Sequence, residues 1–141
     1  MNISIPREIT SGENRVAATP YTVKEFVKNS VNVQIESKAG EGSFISDEEY
    51  QTAGAKIISE TKFLYKNADL VLKVNPPIFH NELNIHEADL LKNGSAYVSF
   101  LQTTINKDAV EKFIEKKITG FSMHLVPRTT LAQKMDALSS Q

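Results

Sequence analysis

The stretch Ala68-Asp-Leu-Val-Leu-Lys-Val-Asn-Pro-Pro77 decides the fold. Leu70, Val71, Leu72 and Val74 make residues 70–74 apolar almost throughout, which reads as a strand in the middle of a sheet. Asn75-Pro76-Pro77 stops it, because proline has no N–H to give to the ladder. The strand therefore ends in a loop that begins with Asn75 and carries Lys73 near its carboxyl end.

Outward from this strand, short β-rich runs alternate with amphipathic helical ones, with no internal repeat or low-complexity segment between them. Such alternation predicts a parallel α/β sheet. Residues 2–5 read as a first strand, and a polar loop through Ser11-Gly-Glu-Asn14 leads to Thr19-Pro20, an N-cap with proline at the first helical position. Val23, Phe26 and Val27 give that helix its apolar face. Residues 31–35 read as the second strand, and Ser46-Asp-Glu-Glu49 has the capping-box pattern, so a helix begins near Asp47 and ends around Gly54. Residues 56–58 form a third strand. A helix is expected over 81–92, closing at Asn93-Gly94, then a strand over 96–100. A helix over 107–117 turns Val110, Phe113 and Ile114 inward, a strand covers 118–122, and a last helix starts at about residue 129.

Composition narrows the function classes. The 141 residues fit one domain with a real core, and a net charge of -1 offers no basic excess for nucleic acid. With no cysteine there is no disulfide, thiolate metal site or cysteine nucleophile. No stretch approaches the roughly 20 apolar residues that span a bilayer, and no signal segment opens the sequence. His80, His86 and His124 lack metal-site spacing and are read as polar or capping residues, so no metal is assigned. Gly40-Glu-Gly42 lacks the third glycine and the strand-to-helix setting of a phosphate loop and is read as a turn.

The end of the sequence, Val126-Pro-Arg-Thr-Thr-Leu-Ala-Gln-Lys-Met-Asp-Ala-Leu-Ser-Ser-Gln141, groups Arg128, Gln133, Asp136 and Ser139. An arginine donor, an aspartate acceptor and an amide that does both suit a neutral carboxamide, which offers one C=O and one NH2. Taken alone, the group reads rather as an ordinary helix-surface pair worth at most about 1 kcal/mol.

Together with Ile3-Ser-Ile-Pro-Arg-Glu8, Glu13-Asn-Arg-Val-Ala-Ala-Thr-Pro20, Val33-Gln-Ile-Glu-Ser-Lys-Ala-Gly40 and Ser95-Ala-Tyr-Val-Ser-Phe100, this tail resembles the NAD-binding first domain of the proton-translocating transhydrogenase alpha subunit, to which alanine dehydrogenase is related. The resemblance runs over nearly the whole chain. It implies a flavodoxin-like parallel sheet with helices on both faces, incomplete here, with residues 1–141 as the N-terminal subdomain and the helix from about 129 leading toward a missing Rossmann domain. On that reading the isolated piece is inactive, binds NADH poorly and exposes an apolar patch. The G-x-G-x-x-G turn that a pyrophosphate needs is absent from these residues.

The resemblance also implies site roles. Arg128 and Ser139 contact the nicotinamide or its ribose, Asp136 orients the carboxamide, and Gln133 bridges toward a second nucleotide, with Gln133 and Asp136 nearest the chemistry. NAD(H) is then the cofactor, with NADP(H) on a partner domain. The partners implied are that domain, a membrane domain and a second copy, and the location is the cytoplasmic or matrix side of an inner-membrane complex. Arg15, Lys73 and Gln102 are accessory. In alanine dehydrogenase the positions matched by Arg15 and Lys73 hold the substrate carboxylate and keto oxygen, and a catalytic histidine stands where this chain has Gln102. Glutamine cannot exchange protons near pH 7, which favours the transhydrogenase. The alternatives are the substrate-side domain of an alanine dehydrogenase and a stand-alone flavodoxin-like binding module.

Overall fold

The computed structural model describes residues 1–99 and 107–122. Strands β1 (Asn2–Ile5), β2 (Asn32–Glu36), β3 (Lys56–Ile58), β4 (Leu70–Lys73), β7 (Ala96–Ser99) and β8 (Thr119–Ser122) form one sheet, and β5 (Phe79–His80) and β6 (Ile85–His86) form a small antiparallel hairpin. The large sheet has the order β3-β2-β1-β4-β7-β8 with every neighbouring pair parallel. Registers such as Ile3 opposite both Val33 and Leu70 place β1 in the middle.

Helices cover both faces, as expected. Alternation along the strands sends Ile3, Ile5, Val33, Ile35, Leu70 and Leu72 to the face covered by α1 (Pro20–Lys28) and α2 (Asp47–Ala53), through Val23, Phe26 and Tyr50. Val71 and Tyr97 point to the other face, packed with Tyr65 of α3 (Thr61–Lys66), Ala88 of α4 (Glu87–Leu90) and Phe113 of α5 (Lys107–Lys116). The rings of Tyr97 and Phe113 lie 5.7 Å apart.

The local signals in residues 19–54 are realised atom by atom. Thr19 caps α1 by accepting from Thr22 N–H, with Pro20 behind it. Ser46 and Glu49 close a reciprocal capping box, and Gly54 ends α2 at φ +110°, a left-handed conformation that favours glycine.

Three expectations need correction. Residues 81–92 are not one helix: the chain turns through Asn84 at φ +53°, forms the hairpin, and only Glu87–Leu90 is helical. The His86 side chain caps that short helix by accepting from Ala88 N–H at 3.0 Å, and the extended Leu91 ends it. On α5 the inward residues are Ala109 and Phe113, whereas Val110 and Ile114 are 42% and 73% exposed, so the apolar face is rotated from the expected one. Helix α3 was not anticipated; it lacks a side-chain cap and is held by burial of Leu64 and Tyr65. The expected last helix from about residue 129 lies outside the described residues.

Candidate functional site

The order of the sheet fixes where a ligand crevice opens. Strands β1, β2 and β3 proceed to one side and β4, β7 and β8 to the other, so the connections leaving β1 and β4 diverge at their carboxyl ends. Ligands of open α/β sheets gather at such a point. The residues that fill it are Glu8, Glu13 and Arg15 from the loop after β1, and Lys73, Val74 and Asn75 at the end of β4.

They form a continuous chain of hydrogen bonds and ion pairs. Arg15 donates through Nε and Nη2 to the two oxygens of Glu13, at 2.8 Å each. Asn75 Nδ2 donates to Glu13 at 3.0 Å and to Glu8 at 3.1 Å. Glu8 also accepts the backbone N–H groups of Val74 and Asn75 at 2.9 and 3.2 Å. The Lys73 ammonium stands 3.8 Å from Glu8 and 2.7 Å from Glu87, whose carboxylate further accepts from Tyr65 Oη at 3.0 Å and Ile78 N–H at 2.9 Å. Tyr97 Oη donates to the carbonyl of Asn75 at 2.7 Å, and Ser99 Oγ to that of Val74 at 3.1 Å, so β7 braces the same loop.

Lys73, Glu87 and Tyr65 are fully enclosed, whereas the Arg15 side chain is 63% exposed. Burial raises the Glu8 carboxyl above its usual range, against the pull of Lys73 and the three N–H donors. Glu13 is instead held down to about 2, chiefly by the Arg15 guanidinium. Burial, then the Glu87 charge, pushes the Tyr65 hydroxyl well up. Such ionic groups, paired and hydrogen-bonded inside a fold, keep a fixed electrostatic arrangement at the crevice floor.

Two polar cavities meet at this floor, with Arg7 and Glu8 common to both. One, of about 430 Å3, is lined also by Glu13, Asn14, Arg15 and Lys38; the other, of about 400 Å3, by Ser11, Phe79 and His80. Both are within the range of small-molecule sites. Among the described residues no cluster has the makeup of a metal site.

Of the residues expected at a site, Arg15 and Lys73 are on one network, joined through Glu13, Asn75 and Glu8 rather than touching. Gln102, Arg128, Gln133, Asp136 and Ser139 lie outside the described residues. Glu8, Glu13, Asn75, Glu87 and Tyr65 were missed. Glu8 and Asn75 carried a usable signal, since they lie three and two residues beyond the ends of β1 and β4, at the carboxyl edge where ligands gather.

Residues 4–141 match the sequence family described as the alanine dehydrogenase/PNT N-terminal domain. The chain belongs to this family. Among its relatives, an NAD(P) transhydrogenase alpha-subunit polypeptide of Rhodospirillum rubrum is 40% identical over all 141 residues of this chain and 36% of its own length. The alanine dehydrogenase of Methanococcus maripaludis is 37% identical over 126 residues, 89% of this chain and 32% of its own. The crystal structure of a transhydrogenase from Sinorhizobium meliloti superposes with a TM-score of 0.76 at 34% identity, over 99% of this chain and 38% of that one. The chain thus spans about a third of the length of the relatives it matches.

The family implies a nicotinamide nucleotide, and the described residues offer polar groups at the crevice. The first cavity, with amide, carboxylate and guanidinium groups on its walls, fits a polar headgroup. A pyrophosphate cradle is not found among them. The close approaches at Gly40 and Gly42 are taken by protein: a Cβ there would meet Tyr50 at 2.7 Å and the Asn14 backbone at 2.9 Å. In this member of the alanine dehydrogenase/PNT family, those glycines let neighbouring loops pack closely together. No helix among the described residues is long and apolar enough to cross a membrane.

Proposed function

We propose that this chain is the nicotinamide-side part of the NAD(H) site of a proton-translocating transhydrogenase, which passes hydride between NAD(H) and NADP(H). The observation that carries this reading is the engagement of both accessory cations. Arg15 is tied through two of its donors to Glu13, and Lys73 is enclosed between Glu87 and Glu8. In alanine dehydrogenase the matching residues hold a keto acid. Here each already has a carboxylate, and the place of the catalytic histidine holds Gln102.

Hydride exchange between two nicotinamides moves no proton at the reacting carbons, so it calls for positioning and exclusion of water rather than acid–base groups. Arg128 and Ser139 bind the headgroup or its ribose, Asp136 orients the carboxamide, and Gln133 faces the second nucleotide. The pyrophosphate is bound by a Rossmann domain beyond these residues. The assembly is a dimer, docked to an NADP-binding domain and a membrane domain on the cytosolic or matrix side of an inner membrane.

The alanine dehydrogenase reading retains the support of the 37% identical archaeal relative. The two are separated by NADH oxidation in the intact protein, with an NADP analogue plus the NADP-binding domain compared with pyruvate plus ammonium. Activity only with the nucleotide pair is expected; activity only with pyruvate would establish the amino-acid dehydrogenase instead. In the first case Arg128→Ala and Asp136→Asn depress hydride transfer strongly without unfolding the protein, and near-normal rates would remove those residues from the site.

A further inference from the structure

His86 joins the hairpin to α4, and its two ring nitrogens are treated differently. Nδ1 accepts the Ala88 N–H at 3.0 Å and so caps α4. A neutral ring that accepts at Nδ1 carries its proton on Nε2. That Nε2–H is enclosed and has no hydrogen-bond partner among the described residues. A buried donor without an acceptor is costly, so the ring is held in place against a penalty.

The cap holds more than a short helix. Glu87, the residue between His86 and Ala88, accepts from Lys73 at 2.7 Å and Tyr65 at 3.0 Å through one oxygen, and from Ile78 N–H at 2.9 Å through the other. Lys116 secures the far end of α4 through the Leu91 carbonyl at 3.0 Å. Beside the ring a third cavity, of about 470 Å3, is lined by Asp89, Asp108, Glu111 and Glu115, with Lys112 as its one ammonium. Asp89 already engages Lys112 at 2.8 Å. In the capping position the charged ring is disfavoured by burial and then by Lys112, against the pull of Asp89, Glu87 and Asp108.

We propose that His86 is a proton-operated latch on the crevice floor: neutral, it caps α4 and keeps Glu87 on Lys73; protonated, it turns into the acidic cavity and lets Glu87 go. A proton taken from solvent at Nδ1 sets one donor against another, since Ala88 also offers an N–H. The ring must then leave its position, and Asp108, Glu111 and Glu115 of α5 give the imidazolium a better place. With its cap gone, the four-residue helix opens at Glu87. Lys73 is left with Glu8, 3.8 Å away, and closes on it. Acidification thus passes the buried cation from one carboxylate to the other, at the point where the connections of β1 and β4 diverge. The latch does not depend on which reaction the crevice serves.

The test is hydrogen exchange in the full-length protein, resolved to single amides and corrected for the intrinsic effect of pH. Below pH 6.5 the protection of Ala88 N–H should fall by about tenfold per pH unit, down to the folded pKa of the ring, and that of Ile78 N–H should fall with it. Both should stay well below the protection of the β4 amides, because the opening is local. His86→Asn keeps an acceptor for the cap but does not titrate, so both amides should hold one level. Glu111→Gln with Glu115→Gln should move the onset to lower pH, because the outward seat is less acidic. In the wild type above neutral pH, the ring nitrogen shifts in the NMR spectrum should place the proton on Nε2. A steady Ile78 beside a falling Ala88 would overturn the relay to Glu87 and Lys73. A fall that persists in His86→Asn, protection equal to that of β4, an unmoved onset in the double variant or a proton on Nδ1 would each overturn the latch.

Discussion

Glu8 and Glu13 accept hydrogen bonds from the same nitrogen, Nδ2 of Asn75, yet their carboxyls are displaced in opposite directions. Glu8 lies under the loop, where lost hydration outweighs Lys73 and the N–H donors. Glu13 has the Arg15 guanidinium across both of its oxygens. One amide thus joins a carboxylate that gains a proton readily to one that resists it.

The pH dependence of stability should show both. A carboxyl raised in the folded state binds protons more readily than in the unfolded chain, so Glu8 makes stability fall as pH rises from 4.5 toward its folded value. Glu13 contributes stability that is present above pH 4.5 and lost as pH falls through about 2. Urea titrations at stepped pH should find the first slope reduced in Glu8→Gln and the second in Glu13→Gln. Wild-type profiles in both variants would show that the displacements do not exist.

Lys73 and Glu87 are buried together at 2.7 Å, so removing one strands the other. Lys73→Met should cost about 3–5 kcal/mol, as for a broken buried pair. Lys73→Met combined with Glu87→Leu should cost less than the sum of the single changes. Additive losses in denaturant unfolding would mean that the two charges do not support each other.

Gly40→Ala places a Cβ 2.7 Å from the Tyr50 ring and 2.9 Å from the backbone oxygen of Ile45. Tyr50 cannot retreat freely, because its hydroxyl donates to Ala18 O at 2.7 Å. A loss of about 1–3 kcal/mol is expected from the overpacking. Gly12→Ala makes a useful comparison: its φ is +80° but its Cβ would meet nothing within 4 Å, so it carries only backbone strain of about 1–2 kcal/mol. Thermal melts in which Gly40→Ala is the milder change would contradict the packing argument.

His86 accepts the Ala88 N–H through Nδ1, and burial, followed by the Lys112 charge, lowers its pKa. The folded state therefore favours the neutral ring. Stability associated with it should be present above pH 6.5 and lost as pH falls below that value toward the folded pKa. His86→Asn should retain the cap and lose this dependence. An unchanged slope below pH 6.5 in that variant would assign the effect to another group.

How far the sequence could be read depended on the reach of each interaction. The strands and the capped starts of α1 and α2 were legible because Thr19, Pro20, Ser46 and Glu49 act within three residues of themselves. The helix expected over 81–92 failed because its apolar spacing said nothing of the hairpin, which is made by pairing Phe79 with His86. On α5, Val110 and Ile114 matched helical spacing as well as Ala109 and Phe113 did, and only contact with Tyr97 decided which stripe faces the sheet. The network at the crevice was least legible. Glu8 meets Asn75 across 67 positions of sequence and Lys73 meets Glu87 across 14, and a glutamate carries no mark of the cation it will be buried beside.

The central place of β1 bears on how the protein is made. Ile3 lies between Val33 and Leu70, so one flank of this strand stays without a partner until some 67 further residues have been synthesised. At roughly 5–20 residues per second that is a delay of about 3–13 s. During it, Ile3 and Ile5 belong to an unfinished sheet whose open flank can pair with another nascent chain. The yield of native protein should therefore depend on translation speed and on chaperones near the ribosome more than on the stability of the finished fold.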